Sequence, residues 1–443
     1  MSAERSAGSG TRPLSSRPVT SEPLGIGLLG YGTVGSAVDR LLRERADIVE
    51  RVAGRPVRVV RALVRDTARE REGASPGLFT DRFEDIRDDP SITVVAEVMG
   101  GVDPTLGYLR ELLERGVSVV SANKQLLARH GAELQAAAER GGAQLRYEAS
   151  ACAAIPVVRV LQESLAAAGV DELIGIVNGT TNFMLTAMAR DGQSYADALA
   201  EAQALGYAEA DPTEDVGGAD AAAKLAILAS LAFHRHLHID DVPFEGIDTL
   251  HDDDVAFAGE LGYAIKLLAH ARLSGDGIAA HVAPVLVPNE HPLARVSGSF
   301  NAVMLRGREI REITLQGPGA GGAETATAVI GDLLSVLGPR PAGEVATAFR
   351  ELPLEPPSRA RSPLYVHLEV TDRPGVLARI AARFGDRGIS LGAMIQRPRP
   401  GDLASLVFLT HPASEENARA AVDEIATLDF CHGQPRVLRV LAA

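Results

Sequence analysis

The stretch Leu24-Gly-Ile-Gly-Leu-Leu-Gly-Tyr-Gly-Thr-Val-Gly35 decides the fold. Its first part, Leu24 to Gly30, is a short apolar run that predicts a buried strand. The run passes directly into Gly30-x-Gly32-x-x-Gly35, and from Ser36 to about Arg51 the pattern turns helical. Glycines at that spacing let the backbone approach a pyrophosphate, and the following helix offers its free N-terminal N–H groups. A tight turn with no ligand would also use glycine. The strand before and the helix after favour dinucleotide binding by Gly30, Tyr31, Gly32, Thr33, Val34 and Gly35.

Outward from that point the alternation continues. Strands are predicted at Val57–Val64, Ile92–Met99, Val117–Val120 and Gln144–Glu148, with helices from Pro104 and over Lys124–Arg140. Proline is at home in the first turn of a helix. Strands alternating with helices of this length predict an α/β doubly wound parallel sheet, a Rossmann-type NAD(P)-binding domain over residues 23–148. The second strand ends in Arg65, where an NAD-selective site usually carries an acid. An arginine there favours the 2′-phosphate of NADP, although Asp66 follows at once and a solvated strand end reads equally well. The cofactor is therefore NADP or NAD.

Residues 149–316 change pattern. Helices at Asn182–Arg190, Ser194–Leu205, Ala219–Phe233 and Phe257–Arg272 are expected among strands at Glu172–Val177, Gly277–Pro288, Ser299–Leu305 and Glu309–Leu315. This reads as a second, α+β domain, expected to serve in substrate binding and dimerisation. Gly317-Pro-Gly-Ala-Gly321-Gly then introduces a helix, so that a segment at about 317–338 completes the first domain. A Pro- and Arg-rich linker follows at 339–362, and 363–443 reads βαββαβ, a ferredoxin-like unit.

Composition narrows the function. The formal charge is −14 and no basic stripe is present, which argues against nucleic acid and against an anionic membrane surface. No apolar run reaches the length of a membrane span. Cys152 and Cys431 are the two cysteines, neither a disulfide framework nor a zinc set. A cytoplasmic setting fits, with residues 1–22 as a disordered tail.

The chemistry concentrates in Gly206-Tyr-Ala-Glu-Ala-Asp-Pro-Thr-Glu-Asp-Val-Gly-Gly-Ala-Asp-Ala-Ala-Ala-Lys224. Asp220 and Lys224 stand four apart and share a helix face that is otherwise apolar or small. Lys124, in Ser121-Ala-Asn-Lys124, lies at the C-terminal edge of the fourth strand, where ligands bind in such sheets. It also opens a helix, a disfavoured place for a cation. Glu148 ends the fifth strand and needs a partner for its charge. Cys152 is a weaker candidate, as a nucleophile without an obvious base. His234-Arg-His236-Leu-His238 reads as a helix end rather than a metal set, and His251-Asp-Asp-Asp254 as a cap.

Together these residues resemble homoserine dehydrogenase of the longer bacterial type with a C-terminal ACT domain. The motifs that carry the resemblance are Gly27-Leu-Leu-Gly-Tyr-Gly-Thr-Val-Gly35, Ser121–Lys124, Tyr147-Glu-Ala-Ser150, Asn178-Gly-Thr-Thr-Asn-Phe183, Leu205–Pro212 and Asp220–Ala229. Glu260–Leu268, Phe300-Asn-Ala-Val303, Gly317–Gly322 and Asp372-Arg-Pro-Gly-Val-Leu377 complete it, in the family's order over about residues 24–443.

The resemblance implies reversible NAD(P)-dependent oxidation of L-homoserine to L-aspartate 4-semialdehyde, in threonine, methionine and isoleucine biosynthesis. Lys224 would be the acid/base, Asp220 and Glu209 would hold substrate, and Lys124 would lie between nicotinamide and substrate. Gly206 and Gly321 would line the cofactor site. Glu148 and the carbonyls of Ala151, Ala153 and Ile155 would take a monovalent cation, usually sodium. The ACT domain implies feedback control, most often by L-threonine, with Asp372–Gly375 facing the effector. A purely structural dimerisation module is the alternative, and a homodimer or homotetramer is expected. One departure stands out: where the family usually has glycines, this chain reads Ala151-Cys-Ala-Ala154. Positive φ is not expected of alanines, and an ACT-bearing amino-acid sensor with weakened catalysis is the competing reading. A further alternative is an aldehyde-oxidising enzyme that uses Cys152.

Overall fold

In the computed structural model, residues 22–275, 277–338, 353–354 and 361–441 are described. Most of the expected tail and of the expected linker lies outside the described residues.

The N-terminal unit is a six-stranded parallel sheet, ordered β3-β2-β1-β4-β5-β6. Its strands are β1 (Leu24–Leu29), β2 (Val57–Leu63), β3 (Phe79–Thr80), β4 (Ile92–Glu97), β5 (Ser118–Ser121) and β6 (Leu145–Arg146). The chain order reverses between β1 and β4, so a crevice opens at the carboxyl ends of these strands. Two details differ from expectation. An edge strand, β3, pairs with β2 and is too short to carry a periodic signal. The strand expected to reach Glu148 stops at Arg146, and Glu148–Ser150 forms a 3-10 turn. Both oxygens of Glu148 there accept backbone N–H groups, from Val158 and Arg159.

The helix after the glycine loop runs Thr33–Glu44, and a second follows at Ala46–Ala53 after a break at Arg45. Helix Gly322–Leu337 returns to this unit. Its Ala326, Val329 and Leu333 pack with Ile26, Leu28 and Val38 in one core.

The rest of the chain builds a nine-stranded sheet, ordered β11-β10-β7-β8-β9-β17-β13-β15-β14. One half comprises β7 (Glu172–Ile176), β8 (Tyr263–Ser274), β9 (Gly277–Pro288), β10 (Phe300–Gly307) and β11 (Arg311–Pro318). The other comprises β13 (Leu364–Thr371), β14 (Leu391–Arg399), β15 (Leu403–Thr410) and β17 (Cys431–Val440). With helices Val376–Asp386 and Glu415–Ala426 the second half is the expected βαββαβ unit. A short pair, β12 (Arg361–Ser362) with β16 (Ala413–Ser414), stands apart. The two halves join where β17 runs parallel to β9, Arg439 opposite Val285 and Val440 opposite Leu286.

One expected helix is overturned. The segment Phe257–Arg272 divides into the helix Asp252–Glu260 and the twelve-residue strand β8. Gly262, at φ +84, turns the chain out of the helix. β8 then pairs along its whole length with β9. An apolar run does not announce which of the two it will form, and the hairpin partner decides.

Candidate active site

Gly218, in the left-handed region at φ +91, stands before the helix Ala219–Phe233. The adjoining turn is close-packed: a side-chain carbon on Gly246 would lie 2.0 Å from the Val216 carbonyl oxygen. From Asp220 to Phe233 every residue of this helix is buried except Lys224. Asp220 sits in its first turn, where a carboxylate suits the helix dipole.

Three charged groups meet there. Asp220 Oδ2 lies 2.8 Å from Lys224 Nζ, and Asp220 Oδ1 lies 2.5 Å from Lys124 Nζ. Lys224 and Asp220 come from the second unit, and Lys124 from the helix Lys124–Gly141 of the first. The Lys124–Asp220 ion pair therefore spans the crevice, while the Asp220–Lys224 pair lies within one helix. Lys224 Nζ also donates to the Val177 carbonyl at 2.8 Å. The side-chain amide of Asn178 donates to Asp220 at 2.8 Å and to Asp215 at 2.7 Å.

Burial pushes the Asp220 carboxyl up, but the Lys224 and Lys124 ammonium groups outweigh it and hold the group well below the ordinary carboxylate range. For Lys124 burial acts downward and Asp220 upward, and Asp220 wins. Asp215 is raised by burial and then by the charge of Asp220.

The glycine loop lies on the first unit's side of the crevice. Gly30 has φ +103, and a side-chain carbon on it would meet the Met99 backbone at 2.9 Å. One on Gly35 would lie 2.4 Å from the Gly30 carbonyl oxygen, whereas Gly32 faces open space. The Tyr31 ring turns inward: its hydroxyl donates to Asp39 at 2.7 Å and its ring packs edge-on against Phe79. Only the Tyr31 backbone is left for a ligand. Arg65 is exposed, while Asp66 accepts the N–H groups of Ala68 and Arg69 and so caps its own turn. Gly321, at φ +137, caps the returning helix, and Gly322 sits against Thr33.

The remaining candidates fall less centrally. Gly206, at φ +77, ends the helix Tyr195–Ala204. Glu209 is exposed on the loop beyond it and makes no ion pair with either lysine among the described residues. Ala151, Cys152, Ala153 and Ile155 form a buried turn next to Glu148. Ala153 takes φ +46, so positive φ survives there without a glycine. The Ile155 carbonyl accepts from Val157, and the Glu148 carbonyl from Ala151. Burial pushes the Cys152 thiol up to about 12, which disfavours a thiolate nucleophile. His251 caps its helix as expected, with Asp254 accepting the His251 N–H. Sequence reasoning gave no role to Asn178 or Glu97. Asn178 opens the Asn178–Phe183 motif, and Glu97, like Glu148, is an acid at an inner strand end.

A doubly wound sheet with a glycine-rich first crossover, facing a lysine–aspartate–lysine bridge across its crevice, defines an NAD(P)-dependent oxidoreductase. Residues 30–148 match the family model "Homoserine dehydrogenase, NAD binding domain", 156–334 match "Homoserine dehydrogenase", and 365–430 match "ACT domain". The chain belongs to the homoserine dehydrogenase family. It is 40% identical over 415 residues to the homoserine dehydrogenase of Bacillus subtilis, covering 92% of this chain and 96% of that one. Against the Mycobacterium tuberculosis H37Rv enzyme it is 43% identical over 425 residues, covering 92% and 95%. A homoserine dehydrogenase crystal structure from Thiobacillus denitrificans superposes with a TM-score of 0.89 at 39% identity, over 95% of this chain and 99% of that one.

Proposed function

We propose that this protein interconverts L-homoserine and L-aspartate 4-semialdehyde with NADP or NAD, with Lys224 as the acid/base. The observation that carries the reading is the Lys124–Asp220–Lys224 bridge across the crevice. The glycine loop fits the cofactor: Gly32 opens onto free space at a helix N-terminus, where diphosphate is well held. Gly30, Thr33, Val34, Gly35, Gly206 and Gly321 complete the cradle, and the exposed Arg65 suits a 2′-phosphate better than a ribose hydroxyl. When bound, the nicotinamide cofactor would supply the acceptor for the hydride of the carbinol carbon.

The residues of this chain handle the proton. An ammonium has three donors. Lys224 commits one to Asp220 and one to the Val177 carbonyl, which leaves one for the substrate oxygen. Asp220 fixes both lysines, and Lys124 stands on the cofactor side. Glu209, on a loop, takes the substrate ammonium group. The turn Ala151–Ile155 with Glu148 holds a monovalent cation, sodium in our reading. The Ala151 and Ala153 carbonyls accept no backbone N–H among the described residues. The C-terminal unit binds an amino-acid effector, L-threonine, and the protein works in threonine, methionine and isoleucine biosynthesis as a cytoplasmic homodimer or homotetramer. Among the described residues no helix is long and apolar enough to cross a membrane.

Lys224→Ala tests the centre of this reading. Homoserine-dependent NADPH formation should fall by roughly 10²–10⁴-fold, with NADPH binding by fluorescence kept. Turnover within a few-fold of the parent would remove Lys224 from the mechanism. Initial rates with each cofactor, with and without threonine, test the finer assignments.

A further inference from the structure

We infer that Glu97 is a positioning residue: it joins the two loops that form the nicotinamide side of the crevice and so sets where Lys124 stands. The inference rests on the reading of Lys124 given above.

Glu97 is the last residue of β4 and is fully buried, as is Ser121 at the end of the neighbouring β5. A carboxylate in such a place needs donors, and it takes them from both loops. Glu97 Oε1 accepts the N–H groups of Met99 and Gly100, each at 3.0 Å. Glu97 Oε2 accepts the Ser121 hydroxyl at 2.6 Å. Ser121 Oγ in turn accepts the Asn123 N–H at 3.1 Å, and the Asn123 side-chain amide donates to the Gly101 carbonyl at 2.6 Å. The links close into a ring that runs from Glu97 through Ser121 and Asn123 to Gly101 and back through Gly100.

Both ends of that ring touch the site. Met99 is the residue against which Gly30 of the glycine loop packs. Asn123 caps the helix that Lys124 opens, accepting the Leu126 N–H at 3.1 Å. Lys124 then reaches Asp220 across the crevice. A strand-end cap would need only the Met99 and Gly100 contacts. The Ser121 and Asn123 links are extra, and they lead to the lysine.

The test is a double-mutant cycle on the full-length protein, measuring kcat and the KM for homoserine and cofactor. Glu97→Gln replaces one carboxylate oxygen by an NH₂ that cannot accept. It should lower kcat by roughly 10- to 100-fold, as expected when a reacting group is misplaced by a fraction of its length. The KM for homoserine should change by less than threefold. The double variant Glu97→Gln/Lys124→Ala should be no slower than Lys124→Ala alone, because Glu97 acts through Lys124. Losses that multiply in the double variant, or full kcat in Glu97→Gln, would overturn the inference. If Glu97→Gln does not fold, Ser121→Ala removes only the bridging hydroxyl, and the same cycle with it decides. Full activity in Lys124→Ala alone would overturn the reading of Lys124 and this inference with it, and is told apart from the other outcomes by that single variant.

Discussion

Ala153 adopts φ +46 and is itself buried, although the neighbouring Ala154 is exposed. A left-handed backbone brings Cβ against the carbonyl oxygen and costs about 1–2 kcal/mol in any residue but glycine. Ala153→Gly should relieve that strain and raise unfolding free energy in urea by about 0.5–1 kcal/mol, the methyl group being small. A loss of stability would mean that the methyl's packing outweighs the strain. The sequence displayed the missing glycines but not which of the positions would need the unusual φ. That depends on how Glu148 and Ile155 anchor the turn. Tyr31 gives the same lesson: its position in the glycine loop was legible, while the inward turn of its ring depends on Asp39, eight residues on in the following helix, and on Phe79 of β3.

At the scale of elements, β8 carries a group that nothing in its own run explains. Lys266 is buried in the sheet, with its amine donating to Asn182 Oδ1 at 2.9 Å and the Val296 carbonyl at 2.6 Å. Burial pulls its pKa down to about 8. The folded state thus releases this proton before the unfolded state, whose lysine titrates near 10.4. Stability carries the full penalty below pH 8 and recovers as pH rises from about 8 to 10.4, because the unfolded chain binds more protons in that window. Lys266→Met should flatten this rise, on the order of 2 kcal/mol by linkage between pH 7.5 and 9.5, when urea unfolding is compared at those two values. An equal slope in both proteins would show that the amine is not the source. The segment Phe257–Arg272, which contains Lys266, was expected to be helical. A strand buried on both faces has no alternation to betray it, and only its pairing with β9 settles the element. The helix Ala219–Phe233, by contrast, was legible from end to end because its capping glycines and apolar run agree.

Across the whole molecule, the C-terminal unit docks on the helix Asp252–Glu260 through a buried carboxylate. Asp254 is fully buried and accepts from the Tyr365 hydroxyl at 2.8 Å, with His367 Nδ1 at 2.7 Å and Arg436 Nε at 3.4 Å. Around it Arg397 lies over the Phe257 ring and pairs with Glu260, and Arg399 pairs with Asp253. Burial pushes the Asp254 carboxyl up, but His367 and the other donors hold it below its ordinary value. Its contribution is therefore present above pH 4 and is lost as acid reaches the lowered pKa. Asp254→Asn should weaken docking by roughly 3–5 kcal/mol, the scale for breaking one side of a buried charged network. Hydrogen exchange should then quicken in β13 and in the helix Asp252–Glu260 but not in β1 or β4. Unchanged protection in β13 would place the docking energy elsewhere. His251–Asp254 was readable as a cap and is one. That the same aspartate fastens a second unit could not be read, because its partners lie more than a hundred residues away. By itself the sequence determined what is local: the strand, glycine loop and helix at Leu24–Glu44, the apolar helix with Asp220 and Lys224 one turn apart, and the βαββαβ order of the C-terminal unit. Only the tertiary structure decided what is shared between distant segments: the joining of β17 to β9, the ring at Glu97, and the meeting of Lys124 with Asp220. Local patterns are fixed by periodicity and backbone sterics within a few residues, whereas a buried charge takes its partners from whatever the packed sheets bring within reach.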